Sequence, residues 1–149
     1  MDLILWRHAE AEDTSPDDRR QLTKKGRDQA QRVGRWLHAR VPHCRLVSSP
    51  AARARETAEG LDSSFDILPE LYGGSSARDI LEAVGWPRAE GTVILVGHQP
   101  LLGEIAAYLM AHRSDSWPIK KGAAWWFRTD ETGPGLSTEI VAVIPPKLA

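Results

Sequence analysis

The stretch Leu3-Ile4-Leu5-Trp6-Arg7-His8-Ala9-Glu10 is a short apolar run that ends at an arginine and a histidine. An uninterrupted run of this length, rich in branched side chains, is typical of a strand buried on both faces of a sheet. Arg7 and His8 would then follow at its carboxyl end. In open parallel α/β sheets, ligands bind in the crevice outside these ends, so the position favours a functional site.

A second apolar run repeats this arrangement later in the chain. Thr92-Val93-Ile94-Leu95-Val96 is followed directly by Gly97-His98-Gln99-Pro100. The pattern predicts another buried strand with a histidine at its carboxyl end. The apolar residues that come next recur at helical spacing and predict a helix that ends near Arg113: Leu102, Ile105, Ala106 and Leu109.

The segment after the first run begins with a charged loop and continues as a long helix. Residues 11–21 are polar and highly charged, which is typical of a surface loop. Thr23 can cap a helix that runs to about Arg40, and Pro42 ends the pattern. Its apolar positions share one face: Ala30, Val33, Leu37 and Val41. The basic residues of this helix are interpreted as a solvated face rather than a binding patch.

A second helix is predicted to carry an arginine near another strand end. Residues 45–48 are expected to form a short strand, after which Ser49 and Pro50 supply an N-cap and a proline at the first helical position. The helix would run to about Gly60. Arg53 would lie about one turn from its start, where unpaired N–H groups favour anions.

The remaining segments complete an α/β pattern. A short strand over residues 65–68 and a loop over residues 69–74 precede a helix capped by Ser76 and Asp79. Its buried stripe comprises Ala77, Ile80, Leu81 and Val84.

The end of the chain is expected to form a pair of edge or antiparallel strands. These strands span residues 123–129 and 138–144, and Gly133-Pro134-Gly135 forms a turn between them. Trp125 and Trp126 would point to opposite faces of the first of these strands. Because the earlier strands alternate with helices, we expect an α/β fold with a mostly parallel central sheet and antiparallel strands at its edge.

Size and composition limit the classes of protein to consider. The 149 residues are expected to form a single domain, 1–149, that can bury a sizeable core. A net charge of -1 gives no general attraction to nucleic acid or to an anionic membrane, so local cations would have to hold any anion. Cys44 is the only cysteine, and the amino terminus lacks the pattern of a signal peptide. A cytoplasmic protein without a membrane span is therefore expected.

Four candidate functional residues follow predicted strand ends: Arg7, His8, Arg53 and His98. If they converge, two arginines and two histidines would clamp a dianionic phosphoryl group, and a neutral imidazole would serve as nucleophile. This site requires no metal and no cofactor. An alternative takes His8, Glu10 and His98 as metal ligands. A third interpretation is a phosphate-binding module without turnover.

Three segments of the chain resemble signatures of the histidine phosphatase superfamily, also called phosphoglycerate mutase-like. They are residues 5–10 (LWRHAE), 49–58 (SPAARARETA) and 96–98 (VGH). The resemblance implies a three-layer α/β/α fold. Within the superfamily, Leu22-Thr23 followed by Gly26, together with the loop at Pro69-Glu70-Leu71, is most similar to small bacterial SixA-type phosphohistidine phosphatases.

The resemblance also implies roles for individual residues. His8 would attack phosphorus and carry a covalent phosphohistidine, while Arg7, Arg53 and His98 would hold the phosphoryl oxygens. Ala9 replaces the usual glycine of the signature.

Two further residues are candidates with an open alternative each. Arg20 matches an arginine before the Leu-Thr segment of SixA-type sequences and would guard the mouth of the site, or it is a plain surface arginine. Glu70 is the candidate general acid by its loop position, or it is an ordinary surface carboxylate.

The resemblance therefore implies a metal-independent phosphatase. Its partner would be phosphohistidine in a protein, such as a phosphotransfer domain, or a small phosphomonoester. A mutase is disfavoured because the chain is short. A monomer is expected.

Overall fold

The computed structural model describes residues 1–130 and 135–149. Six strands of this part form one sheet: β1 (Asp2–Arg7), β2 (Arg45–Ser48), β3 (Asp66–Ile67), β4 (Thr92–Gly97), β5 (Ala124–Asp130) and β6 (Ser137–Ile144). Four α-helices accompany them: α1 (Lys24–Arg40), α2 (Ala52–Glu59), α3 (Ala77–Ala83) and α4 (Leu101–Ala111). Short 3-10 turns span Asp17–Arg19, Pro69–Tyr72 and Pro146–Leu148.

The sheet has the strand order β3-β2-β4-β1-β5-β6. The first four strands in this order are parallel, whereas β5 is antiparallel to β1 and β6 is antiparallel to β5. The expected mostly parallel sheet with antiparallel strands is thus confirmed, with the difference that, of the two antiparallel strands, β5 is interior and β6 lies at an edge. Of the predicted turn, Gly133 and Pro134 lie outside the described residues.

The side chains of β1 alternate between two hydrophobic layers. Leu3 and Leu5 pack in one cluster with α3 and α4, and Ile4 and Trp6 pack in the other with α1 and α2. All four side chains are fully buried. The strand is apolar on both faces because helices cover both faces of the sheet. This arrangement confirms the expected three-layer α/β/α fold.

The first helix agrees with its predicted ends. The Thr23 hydroxyl accepts a hydrogen bond from the Gly26 N–H, and α1 ends at Arg40. Gly34 lies where α1 approaches the carbonyl of Gly60 so closely that an added Cβ would overlap it. The absence of a side chain at Gly34 therefore sets how closely α1 approaches the end of α2.

The predicted start of the second helix is wrong. Ser49 does not cap α2, which begins at Ala52 with Ala51 as the preceding residue. The Ser49 N–H instead donates to the Val96 carbonyl at 3.0 Å, so Ser49 still pairs with β4. Because the pairing keeps its backbone extended, the helix starts two residues later than the proline suggests.

The later helices also follow their sequence signals. The capping box of Ser76 and Asp79 is present at the start of α3. Helix α4 ends at Ala111, two residues before the predicted Arg113, because His112 adopts a left-handed conformation with φ 53°. Within residues 1–130 and 135–149, no helix is long and apolar enough to cross a membrane.

Candidate active site

Parallel pairing of β1 with β4 brings His8 and His98 together. Arg7 is in register with Gly97, and the His8 N–H donates to the Gly97 carbonyl at 2.9 Å. The two imidazole rings consequently lie 5.2 Å apart between centroids. Both residues are less than a tenth exposed, at 7% and 8%.

His8 is held as one neutral tautomer. Its Nδ1 lies 2.7 Å from the Ala9 carbonyl oxygen. Because a carbonyl only accepts hydrogen bonds, Nδ1 carries the hydrogen and Nε2 keeps its lone pair. Burial, followed by the charges of His98, Arg53 and Arg7, lowers the pKa of His8 from 6.5 to about 3. The ring is therefore neutral near pH 7, with Nε2 available as a nucleophile.

His98 is oriented by Ser49. Its Nε2 lies 2.7 Å from Ser49 Oγ, which also accepts a hydrogen bond from the Ala51 N–H. If the serine donates its own hydrogen to Nε2, the His98 hydrogen resides on Nδ1, a buried atom that has no partner among the described residues. Burial and the Arg53 charge lower the pKa of His98 to about 4.

Arg53 extends from the first turn of α2 and is only 7% exposed. Its Nη1 donates to the main-chain oxygen of Asp17 at 2.7 Å, and Nη2 contacts the Asp17 carboxylate at 3.2 Å. Its Nε is buried and lacks a hydrogen-bond partner in the described part of the chain. Nothing in the sequence singles out Asp17, because an acidic residue in a charged loop resembles any solvated carboxylate.

Arg7 has a similar arrangement. Its Nη1 donates to the Ile119 carbonyl at 2.8 Å, while burial lowers the pKa of the guanidinium. Arg7 Nε, like Arg53 Nε, is buried and without a partner in residues 1–130 and 135–149. Together with His98 Nδ1, which is a donor when the Ser49 hydroxyl donates to Nε2, these atoms supply unpaired donors beside His8. Such a set suits a phosphoryl group, whose oxygens accept hydrogen bonds and carry negative charge.

Thr57 connects the helix to the segment that follows His8. Its hydroxyl accepts a hydrogen bond from the Ala9 N–H at 3.0 Å and donates to the Arg53 carbonyl at 2.7 Å. Both Thr57 and Ala9 are fully buried. One side chain thus fixes the backbone at both Arg53 and Ala9, beside the proposed nucleophile.

Asp17, Tyr72 and Arg20 lie beside this cluster. The Tyr72 hydroxyl donates to the Asp17 carboxylate at 2.7 Å, and Arg20 Nη1 contacts the same carboxylate at 3.3 Å. The hydrogen bond from Tyr72 is the main cause that lowers the pKa of Asp17 to about 2. Arg20 also donates to the Glu12 carbonyl, and its charge contributes to the lowered pKa of His98. Arg20 is therefore within electrostatic reach of the histidines.

The two acidic residues that the sequence suggested, Glu70 and Glu10, have surroundings that differ from those of Asp17. The Glu70 side chain is exposed on the 3-10 turn and makes no hydrogen bond or ion pair to any residue that the structure describes. Its neighbour Tyr72 instead approaches His98, with ring centroids 5.6 Å apart. The carboxylate of Glu10 accepts a hydrogen bond from the Thr23 hydroxyl at 2.7 Å.

The interpretation of His8, Glu10 and His98 as metal ligands is not supported by this geometry. No group of three or more histidine, cysteine, aspartate or glutamate side chains in the described ranges could hold a metal ion. The donor set around the two histidines consists of hydrogen-bond donors and cations. That chemistry fits an anion.

Comparisons with known proteins agree with this chemistry. The family model described as histidine phosphatase superfamily (branch 1) matches residues 3–72. A phosphohistidine phosphatase SixA homolog of Haemophilus influenzae is 31% identical over 131 residues, which cover 76% of this chain and 80% of the relative. A solved structure of the protein histidine phosphatase SixA complexed with tungstate has a TM-score of 0.81 at 26% identity, covering 99% of this chain and 98% of that one. A phosphoserine phosphatase mutant of Entamoeba histolytica, at 14% identity, shares the fold with a TM-score of 0.73 over 95% of each chain.

Proposed function

Because the chain belongs to the histidine phosphatase superfamily, we propose that it removes the phosphoryl group from phosphohistidine in a protein partner. The observation that carries this proposal is the state of His8, a buried neutral imidazole among cationic donors. Its relative in Haemophilus influenzae bears the name phosphohistidine phosphatase SixA homolog. Phosphoryl transfer mainly needs positioning and positive charge around the transferring group, and Arg7, Arg53 and His98 supply both.

In the first step, His8 Nε2 attacks phosphorus and forms a new N–P bond. The N–P bond of the substrate breaks, and its electron pair stays on the substrate nitrogen. If the other nitrogen of that ring carries a hydrogen, the imidazole leaves as a neutral molecule. The new phosphohistidine keeps its Nδ1 hydrogen on the Ala9 carbonyl. Arg7, Arg53 and His98 hold the phosphoryl oxygens throughout.

In the second step, water attacks the phosphoryl group on His8. The oxygen of the water bonds to phosphorus, both of its hydrogens remain with the phosphate, and dihydrogen phosphate leaves. The electron pair of the broken bond returns to His8 Nε2, so the ring becomes neutral again. Neither step requires a hydrogen from a carboxylic acid.

Because neither step uses a carboxylic acid, the reaction favours phosphohistidine over an alkyl or sugar phosphate as the substrate. An alkoxide leaves phosphorus reluctantly unless a positioned acid protonates it. Asp17 is the carboxylate that contacts Arg53, but a pKa of about 2 keeps it ionised and unable to donate a hydrogen. Glu70 is exposed. A small phosphomonoester with a good leaving group, such as an aryl phosphate, stays an alternative substrate.

The test is a substrate panel measured under identical conditions. It compares a protein that carries phosphohistidine with an aryl phosphate and a sugar phosphate, each before and after exhaustive chelation. We expect kcat/KM for phosphohistidine to exceed that for the sugar phosphate by about a hundredfold or more, since the sugar lacks acid assistance. Chelation should leave these rates unchanged.

The same panel includes two histidine variants. His8→Ala should abolish turnover and the acid-labile label that wild-type protein retains after brief exposure to substrate and alkaline denaturation. His38→Ala, which removes an exposed histidine of α1, is the matched control and should behave as wild type. Undiminished labelling of His8→Ala would overturn the assignment of the nucleophile. A preference for sugar phosphate would overturn the substrate, and phosphate binding without turnover would indicate a binding module.

A further inference from the structure

Asp17 is an acidic residue in direct contact with a cationic site, and the proposed reaction assigns it no step. It lies on the turn Asp17–Arg19 and contacts Arg53, which is 36 residues away in the chain. The Asp17 side chain is 56% exposed, whereas the Arg53 side chain is only 8% exposed. A carboxylate at the rim thus reaches a buried guanidinium.

The contacts with Asp17 use only the terminal nitrogens of Arg53. Nη1 donates to the main-chain oxygen and Nη2 to the carboxylate. A guanidinium has a second fork, formed by Nε–H and the other hydrogen of Nη2, which can bind two oxygens of a phosphoryl group. Arg53 Nε has no partner in the described chain. A phosphoryl group can therefore use this fork without displacing Asp17.

Tyr72 is a second residue that contacts the Asp17 carboxylate. Its hydroxyl donates to the same Asp17 oxygen, Oδ2, that contacts Arg53 Nη2. The Tyr72 ring meets the His98 ring edge to face, at 5.6 Å and 77°. Asp17 consequently contacts both Arg53 and Tyr72, and the Tyr72 ring packs on His98. These two contacts set the position of the Asp17 side chain.

We propose that Asp17 is a positioning residue for the dephosphorylation reaction. It orients the Arg53 guanidinium so that the fork containing Nε stays free for the phosphoryl group, and Tyr72 keeps the Asp17 carboxylate in place. Its role in the reaction rests on the proposed function, whereas the orientation of Arg53 for an oxyanion does not.

The experiment compares four variants with wild-type protein. Asp17→Ala removes the carboxylate, Asp17→Asn keeps an acceptor for Tyr72, and Tyr72→Phe removes only the hydroxyl. Asp18→Ala is the matched control, because Asp18 is exposed on the same turn and makes no hydrogen bond or ion pair to Arg53. The measurements are kcat and KM with an aryl phosphate, the thermal midpoint, and the dissociation constant of inorganic phosphate or tungstate without turnover.

We expect Asp17→Ala to lower kcat about tenfold or more and to weaken tungstate binding, with little change in thermal midpoint, because a misplaced donor stabilises the transition state less. Asp17→Asn should recover part of kcat. Tyr72→Phe should lower kcat by a smaller factor, about threefold, since the Asp17 carboxylate that contacts Arg53 Nη2 remains. Asp18→Ala should match wild type.

Several results would overturn the proposal. The proposal fails if Asp17→Ala and Tyr72→Phe both match Asp18→Ala in kcat and in tungstate binding. Tighter tungstate binding by Asp17→Ala would show that the carboxylate competes with the anion. If Asp17→Ala does not fold, kcat and tungstate binding of Tyr72→Phe test the proposal, because this variant keeps the whole aromatic ring and loses only the hydroxyl. If wild-type protein hydrolyses nothing, the proposed function fails, and oxyanion binding alone then tests the orientation of Arg53.

Discussion

Arg7 Nε, Arg53 Nε and His98 Nδ1 are buried and lack partners among the residues that the structure describes. Leaving a buried donor unpaired costs about 1–3 kcal/mol, which a fold tolerates where a ligand supplies the acceptor. Asp17 takes the terminal nitrogens of Arg53 only, so the unpaired atoms stay free for an oxyanion. A bound substrate therefore supplies the hydrogen-bond partners that these three atoms lack in the protein.

Glu70 provides the residue-scale prediction that separates substrate classes. We expect Glu70→Gln to leave the rate with phosphohistidine unchanged, because a neutral imidazole departs without a hydrogen from an acid. If Glu70 acts as an acid on phosphomonoesters, the variant will slow sugar phosphates by about a hundred to ten thousandfold. The measurement is kcat/KM for both substrates.

The matched control for this prediction is Glu82→Gln, which changes an exposed glutamate of α3. Equal slowing of phosphohistidine and sugar phosphate by Glu70→Gln would contradict the expectation and indicate damaged binding. An unchanged rate with both substrates would make Glu70 an ordinary surface carboxylate.

At the scale of elements, α1 packs closely against the carboxyl end of α2, the helix that carries Arg53 in its first turn. Gly34 of α1 faces the Gly60 carbonyl, and an added Cβ would overlap that oxygen. We expect Gly34→Ala to lower the free energy of unfolding by about 1–3 kcal/mol, because both the helix and the carbonyl would have to move. Equilibrium unfolding in urea measures the change.

Arg35→Ala is the control for Gly34→Ala, because Arg35 is an exposed neighbour in the same helix. Its free energy of unfolding should stay within about 0.5 kcal/mol of wild type. A Gly34→Ala variant as stable as Arg35→Ala would show that α1 and α2 can separate at no cost and would contradict the prediction.

At the scale of the whole molecule, the net charge is only -1, although the buried site is cationic. His8 and His98 titrate with a pKa of about 3 and about 4, below their usual 6.5, mainly because both are buried. Between pH 6.5 and these values the unfolded chain binds more protons than the folded one. Folding stability must therefore fall as the pH decreases through this window.

We expect the free energy of unfolding to fall between pH 7 and pH 4.5, by on the order of 2 kcal/mol for each of the two histidines. Urea unfolding at several pH values measures this loss. His98→Gln should remove part of the pH dependence, whereas His38→Gln, at an exposed position, should retain all of it. A pH dependence that is identical in wild type and His98→Gln would contradict the lowered pKa.

Most strands and helices, apart from the start of α2, followed from local patterns of the sequence. The apolar runs before His8 and before His98 predicted β1 and β4, and the capping residues Thr23 and Ser76 predicted the starts of α1 and α3. These patterns are readable because periodicity and capping involve residues that are close in the chain. Parallel strands also align their carboxyl ends, so the meeting of the two histidines was predictable.

The side chains that complete the site were decided only by tertiary structure. Asp17 lies 36 residues from Arg53 and 55 from Tyr72, and no periodic pattern relates them. The Ser49 hydroxyl contacts His98, 49 residues away, instead of capping α2. Such contacts depend on how loops and helices pack against the sheet. A local sequence signal cannot encode them, because each partner looks like an ordinary polar residue until the fold brings the other beside it.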